Sequence, residues 1–146
     1  MALGLKRRGK SQKVYVVTGD GELHEGANWE AFMFAAHNQL DNYTVIVDNN
    51  KYCMLGATEN VVAHGSLKAK FDAFGFAVFE AENGNDTNDV CAALDAAKAD
   101  ASSKPKVIFA HTRKGRGVPL LESTDLRHVV GVNAETIDKL LLEPTS

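Results

Sequence analysis

The chain has 146 residues, 45% hydrophobic and 24% charged, with a formal net charge of −3; this suffices for one packed core in a single domain and offers no basic footprint for nucleic acid. Cys53 and Cys91 lack metal-ligand spacing and read as free thiols in a reducing compartment. No apolar run nears the ~20 residues of a membrane span, and Met1-Ala2-Leu3-Gly4-Leu5 is too short for a signal segment, so the expectation is a cytoplasmic protein that binds neither membrane nor nucleic acid. The short cluster Lys6-Arg7-Arg8-Gly9-Lys10 reads as a solvated face.

In chain order, Lys13–Thr18 reads as a strand, then Asn28–Leu40 as a helix with Trp29, Phe32, Met33 and Ala36 forming an apolar core stripe at i, i+3, i+4 and i+7. Thr44–Asp48 is a second strand. Ser66–Phe74 reads as a helix with Ser66 as N-cap, Phe76–Glu80 as a strand, Asp86 or Thr87 to Ala101 as a helix, and Lys106–Thr112 as a strand. Asn133–Leu142 closes the chain as a helix capped by Asn133. This alternation predicts an α/β fold, a parallel sheet flanked by helices with its ligand edge at the strand carboxyl ends. No repeat or low-complexity segment interrupts it.

Two segments concentrate the chemistry. The first strand runs into Gly19-Asp20-Gly21-Glu22-Leu23-His24-Glu25-Gly26, and the second ends in Asp48-Asn49-Asn50. Asp20 and Asn50 are 50 − 20 = 30 residues apart, room for one helix between parallel strands, so both side chains can emerge at one sheet edge. Mg²⁺ or Ca²⁺ prefers oxygen ligands, and Mg²⁺ keeps positions open for phosphates; a carboxylate, an amide oxygen and a backbone carbonyl suit that role. Gly19 and Gly21 allow close approach of an anion, and the helix beginning near Ala27 or Asn28 aims its N-terminus at the same edge. The tripeptide alone is more often an ordinary turn between a strand and a helix.

Together and in order, the motifs resemble the thiamine-diphosphate fingerprint, and the run GDGELHEGANWEAFMFAAHNQL resembles the transketolase family, in particular the N-terminal subunit of two-gene transketolases. The resemblance spans about Met1 to Gly131. It implies a thiamine-diphosphate-binding fold, with Asp20, Asn50 and the backbone carbonyl of Tyr52 as ligands of Mg²⁺ (or Ca²⁺). It further implies a cofactor-binding set of Gly19, Asp20, Gly21, Glu22, Glu25, Asn50 and His128, with Gly21 touching the diphosphate. Glu25 and Glu30, surface carboxylates on a reading of the residues alone, fall where the family carries a buried network joining two cofactor sites across a dimer, and Glu30 is assigned a catalytic role on that ground. Asp48 is expected to support the metal ligands by hydrogen bonding.

Lys114-Gly115-Arg116-Gly117-Val118, Glu122 and His128 resemble the family's KGKGV…E…WHG pattern, which implies that His128 contacts substrate and assists proton transfer. His24 and His37 read as packing residues, His64 as a loop residue with no legible partner, and His111 as a strand-end residue at the ligand edge. The sequence also departs from the family. Leu126-Arg127-His128-Val129-Val130-Gly131 replaces the tight Trp-His-Gly, and Leu55 stands where an Asp is common.

Met1-Ala2-Leu3-Gly4 resembles an internal helix of the family's domain, so residues 1–146 are expected to form a partial domain, truncated at its N-terminal side, with an exposed hydrophobic sheet edge. The implied function is that of a transketolase-type subunit moving a two-carbon ketol unit between sugar phosphates. It would need a complementary subunit carrying the pyrimidine-binding domain, in a homo- or hetero-oligomer, because the glutamate that activates the cofactor's thiazolium ring belongs to that separate domain. The alternatives are a noncatalytic or truncated fragment with this fold, and another thiamine-diphosphate enzyme of the 2-oxoacid dehydrogenase E1 or deoxyxylulose-phosphate synthase type.

Overall fold

A computed structural model describes residues 1–123, 131 and 133–142. The helix α1 (Ala2–Arg7) leads into strand β1 (Val14–Gly19), a 3-10 turn (Gly21–His24), helix α2 (Gly26–His37) and strand β2 (Tyr43–Asp48). A small hairpin of β3 (Tyr52–Cys53) and β4 (Gly56–Ala57) follows, then α3 (Thr58–Val61), α4 (Leu67–Ala73), β5 (Ala77–Ala81), α5 (Thr87–Ala99) and β6 (Lys106–Ala110). Short α6 (Pro119–Glu122) and α7 (Ala134–Leu142) complete the described chain.

The main sheet is four-stranded and all parallel, in the order β1-β2-β6-β5. Its register pairs Gly19 with Asp48 and Asp48 with Ala110, so β1, β2 and β6 end level with one another. The predicted α/β architecture is the observed one. Ser66 Oγ accepts from the Ala69 amide at 3.1 Å and Asn133 Oδ1 from Thr136 at 2.8 Å, as expected, and Asp86 Oδ1 caps its helix in the same way from Asn88 at 2.7 Å, so each satisfies an otherwise orphaned helical amide.

Element ends differ where capping geometry intervenes. Helix α2 stops at His37 because Gln39 turns left-handed at φ 48°, with the Leu40 amide donating to Ala35 O and the Gln39 amide to Ala36 O. That pattern closes the helix and drives Leu40 into the core. Gly75 (φ 90°) does the same for α4, seating Phe76 at the base of β5.

Alternation along the strands splits the core in two. Val45, Val47, Val107 and Phe109 face Phe32, Phe71, Phe76 and Leu67, whereas Ile46 and Ile108 face Ala93, Ala97, Val90 and Leu94 of α5. Phe71 sits at the centre of an aromatic cluster, with ring centroids 4.9 Å from Phe32, 5.2 Å from Phe76, 5.5 Å from Trp29 and 5.6 Å from Phe109.

The expected stripe on α2 needs a correction. Phe32 is buried, and Trp29 and Ala36 pack against the core, but Met33 is 52% exposed and Ala35 takes the inner position. The buried line runs along i, i+3, i+6 through Trp29, Phe32 and Ala35, so only a narrow face of the helix reaches the core. Strand β1 is an edge, and Tyr15, Val16 and Val17 stand exposed on it.

Phe71→Ala is expected to destabilise the fold by about 3–5 kcal/mol, and Met33→Ala by about 0.5 kcal/mol or less. Chemical denaturation of the two variants measures the contrast.

Candidate functional site

The level ends of β1 and β2 bring the two motifs together through backbone bonds. The Asp20 amide donates to Asp48 O at 3.0 Å, and the Asn49 amide donates to Ala110 O at 2.9 Å, which extends the ladder one residue past each strand. Asp20 is 1% exposed. Its Oδ1 accepts from the Gly21 amide at 2.8 Å and its Oδ2 from the Lys51 amide at 2.6 Å. One carboxylate therefore ties the turn after β1 to the loop after β2, and Lys51 holds a left-handed φ of 68° to present its amide.

Burial raises the Asp20 pKa above its ordinary value, the two amide bonds oppose the shift, and the nearby Asp48 carboxylate adds to it. Asp48 is braced from two sides: Asn50 Nδ2 donates to its Oδ2 at 2.9 Å, and the Thr112 hydroxyl donates to its Oδ1. The hydrogen bond expected of Asp48 is present, with Asn50 as its partner. Asn50 is itself oriented, since its Oδ1 accepts from the Tyr52 amide at 3.0 Å.

In front of this loop lies an open cleft of about 710 Å³ whose lining includes Gly19, Gly21, Glu22, Glu25, Asp48, Asn50 and Tyr52. Gly21 is sterically required: a Cβ there would sit 2.8 Å from Cys53 Cβ and 3.8 Å from Tyr52 O. Glu22 Oε2 accepts from the Gly19 amide at 2.7 Å and folds the turn back on its own strand. The cleft is acidic through Glu22, Glu25 and Asp48, with buried Asp20 nearby and Lys114 as a cation in the lining.

Of the predicted site residues, Gly19, Gly21, Glu22, Glu25, Asn50 and Tyr52 share this cleft, and Asp20 is bonded into its floor. Glu30 is exposed on α2 and is not among the lining residues; Glu25 is likewise exposed in the single chain. His128 lies outside the described residues.

Sequence reading missed the role of His64. It is buried, its Nε2 donates to Asp20 O at 2.9 Å, and its ring stacks on His24 at 4.2 Å between centroids. His24 in turn bonds Val62 O at 2.8 Å. The pair lies 64 − 24 = 40 residues apart, and no local pattern announces it. Thr112 and Lys114 were visible only as parts of a strand end and a glycine-rich loop.

Burial, then the neighbouring His24, holds the His64 pKa below its ordinary 6.5. The folded state therefore takes up the proton less readily than the unfolded chain, and stability is lost as pH falls below 6.5. Denaturation midpoints measured from about pH 7.5 to about pH 5.5 should fall more steeply in the parent chain than in His64→Gln, which keeps a donor for Asp20 O without the titration.

Comparison with known proteins agrees with this geometry. Residues 8–142 match the family model described as "Transketolase, thiamine diphosphate binding domain". An apulose-4-phosphate transketolase subunit from Actinobacillus succinogenes is 41% identical over 122 residues, covering 84% of this chain and 43% of the relative. A 6-deoxy-6-sulfo-D-fructose transketolase subunit from a Clostridium species is 33% identical over 135 residues, covering 92% of this chain and 48% of the relative. Among solved structures, Campylobacter jejuni transketolase superposes with a TM-score of 0.75 at 30% identity, covering 84% of this chain and 20% of that one. A transketolase variant from Pichia stipitis gives 0.76 at 30% identity, covering 90% and 19%. The chain thus spans about half or less of the length of these relatives, and no described helix is long and apolar enough to cross a membrane. With the family's motif residues gathered at one sheet edge and the family model matching most of the chain, this protein belongs to the transketolase family through its thiamine diphosphate binding domain.

Proposed function

We propose that this chain is the diphosphate-binding part of a transketolase-type transferase, holding thiamine diphosphate through a divalent cation. The observation that carries the reading is the buried Asp20 carboxylate beside Asp48 and Asn50. An anion with a raised pKa next to a second carboxylate is short of positive charge, and an oxygen-ligated cation supplies it. The acidic cleft argues the same way, because a diphosphate would be repelled from Glu22, Glu25 and Asp48 unless a cation lay between.

The donor set fits Mg²⁺: Asp20, Asn50 Oδ1 and the Tyr52 carbonyl are hard oxygens, and phosphate oxygens can complete the shell. When bound, thiamine diphosphate supplies the electron sink for breaking and re-forming the carbon–carbon bond beside a sugar carbonyl. This chain's residues position and exclude. Gly21 lets its turn pack against Cys53 at the cleft where the diphosphate would lie, Asp48 and Thr112 hold Asn50 in orientation, and Lys114 adds positive charge at the cleft wall. His128 is assigned proton handling at the substrate, and Glu25 and Glu30 the contact between paired cofactor sites.

The assembly we infer includes a complementary chain. Two relatives are named as transketolase subunits, and the present chain covers under half of each. The open β1 edge, with Tyr15, Val16 and Val17 exposed, supports a further polypeptide lying against it. The two-carbon transfer between sugar phosphates, the oligomer, the partial domain over residues 1–146 and the cytoplasmic setting belong to this same reading.

Calorimetric titration with thiamine diphosphate is expected to show binding that requires Mg²⁺, and Asp20→Ala or Asn50→Ala should abolish it. Unchanged affinity in both variants would overturn the metal assignment. In enzyme reconstituted with the complementary subunit, His128→Ala should lower kcat by about 100-fold or more, the range for a lost acid–base group, while leaving cofactor affinity nearly intact; unchanged turnover would assign His128 to structure.

A further inference from the structure

The loop after β6 serves two cavities. Lys114 lines the cofactor cleft, whereas Thr112, Arg113 and Arg116 line a second pocket of about 280 Å³ together with Asn83, Asn85 and His111. This second pocket lies at the carboxyl ends of β5 and β6, the half of the sheet edge away from β1.

Short-range bonds preform it. The Gly84 amide donates to His111 O at 2.9 Å and the Arg113 amide to Asn85 Oδ1 at 2.7 Å, which ties the loop after β5 to the loop after β6. Gly84 has no room for a side chain, since a Cβ there would stand 2.8 Å from both Ala110 C and Thr112 Cγ2. Gly115, at φ 76°, lets its loop fold onto Leu121, and Glu122 Oε1 accepts from the Gly117 amide at 2.8 Å. The exposed side chains of Asn83, Asn85, Arg113 and Arg116 therefore stand on a fixed frame.

The lining holds two guanidiniums and no carboxylate. Each carboxylate around it is already engaged: Glu80 with Lys68 and toward His111, Asp89 with the Asn83 amide, and Asp48 with Asn50 and Thr112. Glu122 lies 2.9 Å from Arg113 Nε and 4.0 Å from Arg116 NH1, so one negative charge serves two positive ones and an excess of one remains. Asn83 Oδ1 accepts the Asn85 amide and Asn85 Oδ1 the Arg113 amide; a backbone amide can only donate, which fixes both Nδ2 groups as donors. The accessible side chains thus offer donors and positive charge.

We propose that this pocket is an anion site separate from the cofactor cleft, taking the phosphate group of a small phosphate monoester between Arg113 and Arg116, with Asn83 and Asn85 as further donors. The planar fork of a guanidinium suits phosphate oxygens, and the volume, just under the roughly 300–1,000 Å³ of drug-sized sites, suits a phosphate carrying a few carbons. The contrast with the cleft is electrostatic. There, Glu22, Glu25 and Asp48 require a cation before a diphosphate can approach, whereas here the protein itself supplies the charge.

The test is an amide-correlation NMR titration of the full chain, without metal or thiamine diphosphate, using glycerol 3-phosphate, inorganic phosphate and, as the uncharged control, glycerol. Saturable shifts at Asn83, Gly84, Asn85, Arg113 and Arg116 are expected with the monoester, none with glycerol, and a weakening of about tenfold in Arg116→Ala for the lost charge-assisted bond. Should Arg116→Ala lose its dispersed spectrum, Arg116→Gln serves in its place with a weakening in the same direction. Tighter saturation by glycerol 3-phosphate identifies an ester as the occupant and tighter saturation by inorganic phosphate the free ion; both support the anion site. Linear or absent shifts, saturation by glycerol, equal binding by the folded variant, or shifts confined to Gly21, Lys51 and Lys114 of the cofactor cleft would overturn the proposal. Because no metal or cofactor is present, the result stands or falls separately from the function proposed above.

Discussion

The rest of this site depends on one buried carboxylate gripped by two backbone amides. Asp20 receives the Gly21 amide from its own turn and the Lys51 amide from the loop after β2, and its backbone amide bonds Asp48. These bonds pin two loops that the parallel register has already brought level. Removing the carboxylate would leave amides at a buried position without acceptors, so the same group that is read as a metal ligand also shapes the ground on which the metal would sit.

That double duty explains the electrostatics. In an isolated chain, burial disfavours the charged form of Asp20, and the neighbouring Asp48 makes matters worse. A cation would resolve such an arrangement, and on the function proposed above the oxygens of Asn50 and Tyr52 would give it further ligands. The bracing continues outward through Thr112 to the end of β6, and rearward through His64 and its stacked partner His24. The site is thus a layered polar network set on a rigid apolar sheet, with the aromatic cluster around Phe71 fixing the strands beneath it.

The surface is less self-contained than the site. Tyr15, Val16 and Val17 on the edge strand, with Met33 and Phe34 on α2, present apolar side chains to solvent. An edge strand of this kind is a pairing surface in waiting, in keeping with relatives that are more than twice the length of the segment they share with this chain.

Much of this was legible in the sequence because it is written in local codes. Alternation and period located the main strands and helices, Ser66 and Asn133 announced their caps, and the spacing of Asp20 and Asn50 placed both at one sheet edge. Family resemblance then supplied names for roles that no spacing could assign. What remained for the tertiary structure were relations between residues distant in sequence. The stacking of His24 on His64, the Thr112 hydroxyl on Asp48, and the unpartnered oxygen of Asn49 arise only when strands and loops are superposed in register. The exposure of Met33 is of the same kind: helical period tells which residues share a face, but the tertiary packing of α2 decides how wide a face is buried. Sequence alone determined the four strands of the main sheet, the longer helices and the motif at the strand ends, since these follow from short-range sterics and hydrogen bonding, but not the small β3–β4 hairpin or the short helices α3 and α6. The network behind the motif was decided by packing, because its partners meet through the sheet and not along the chain.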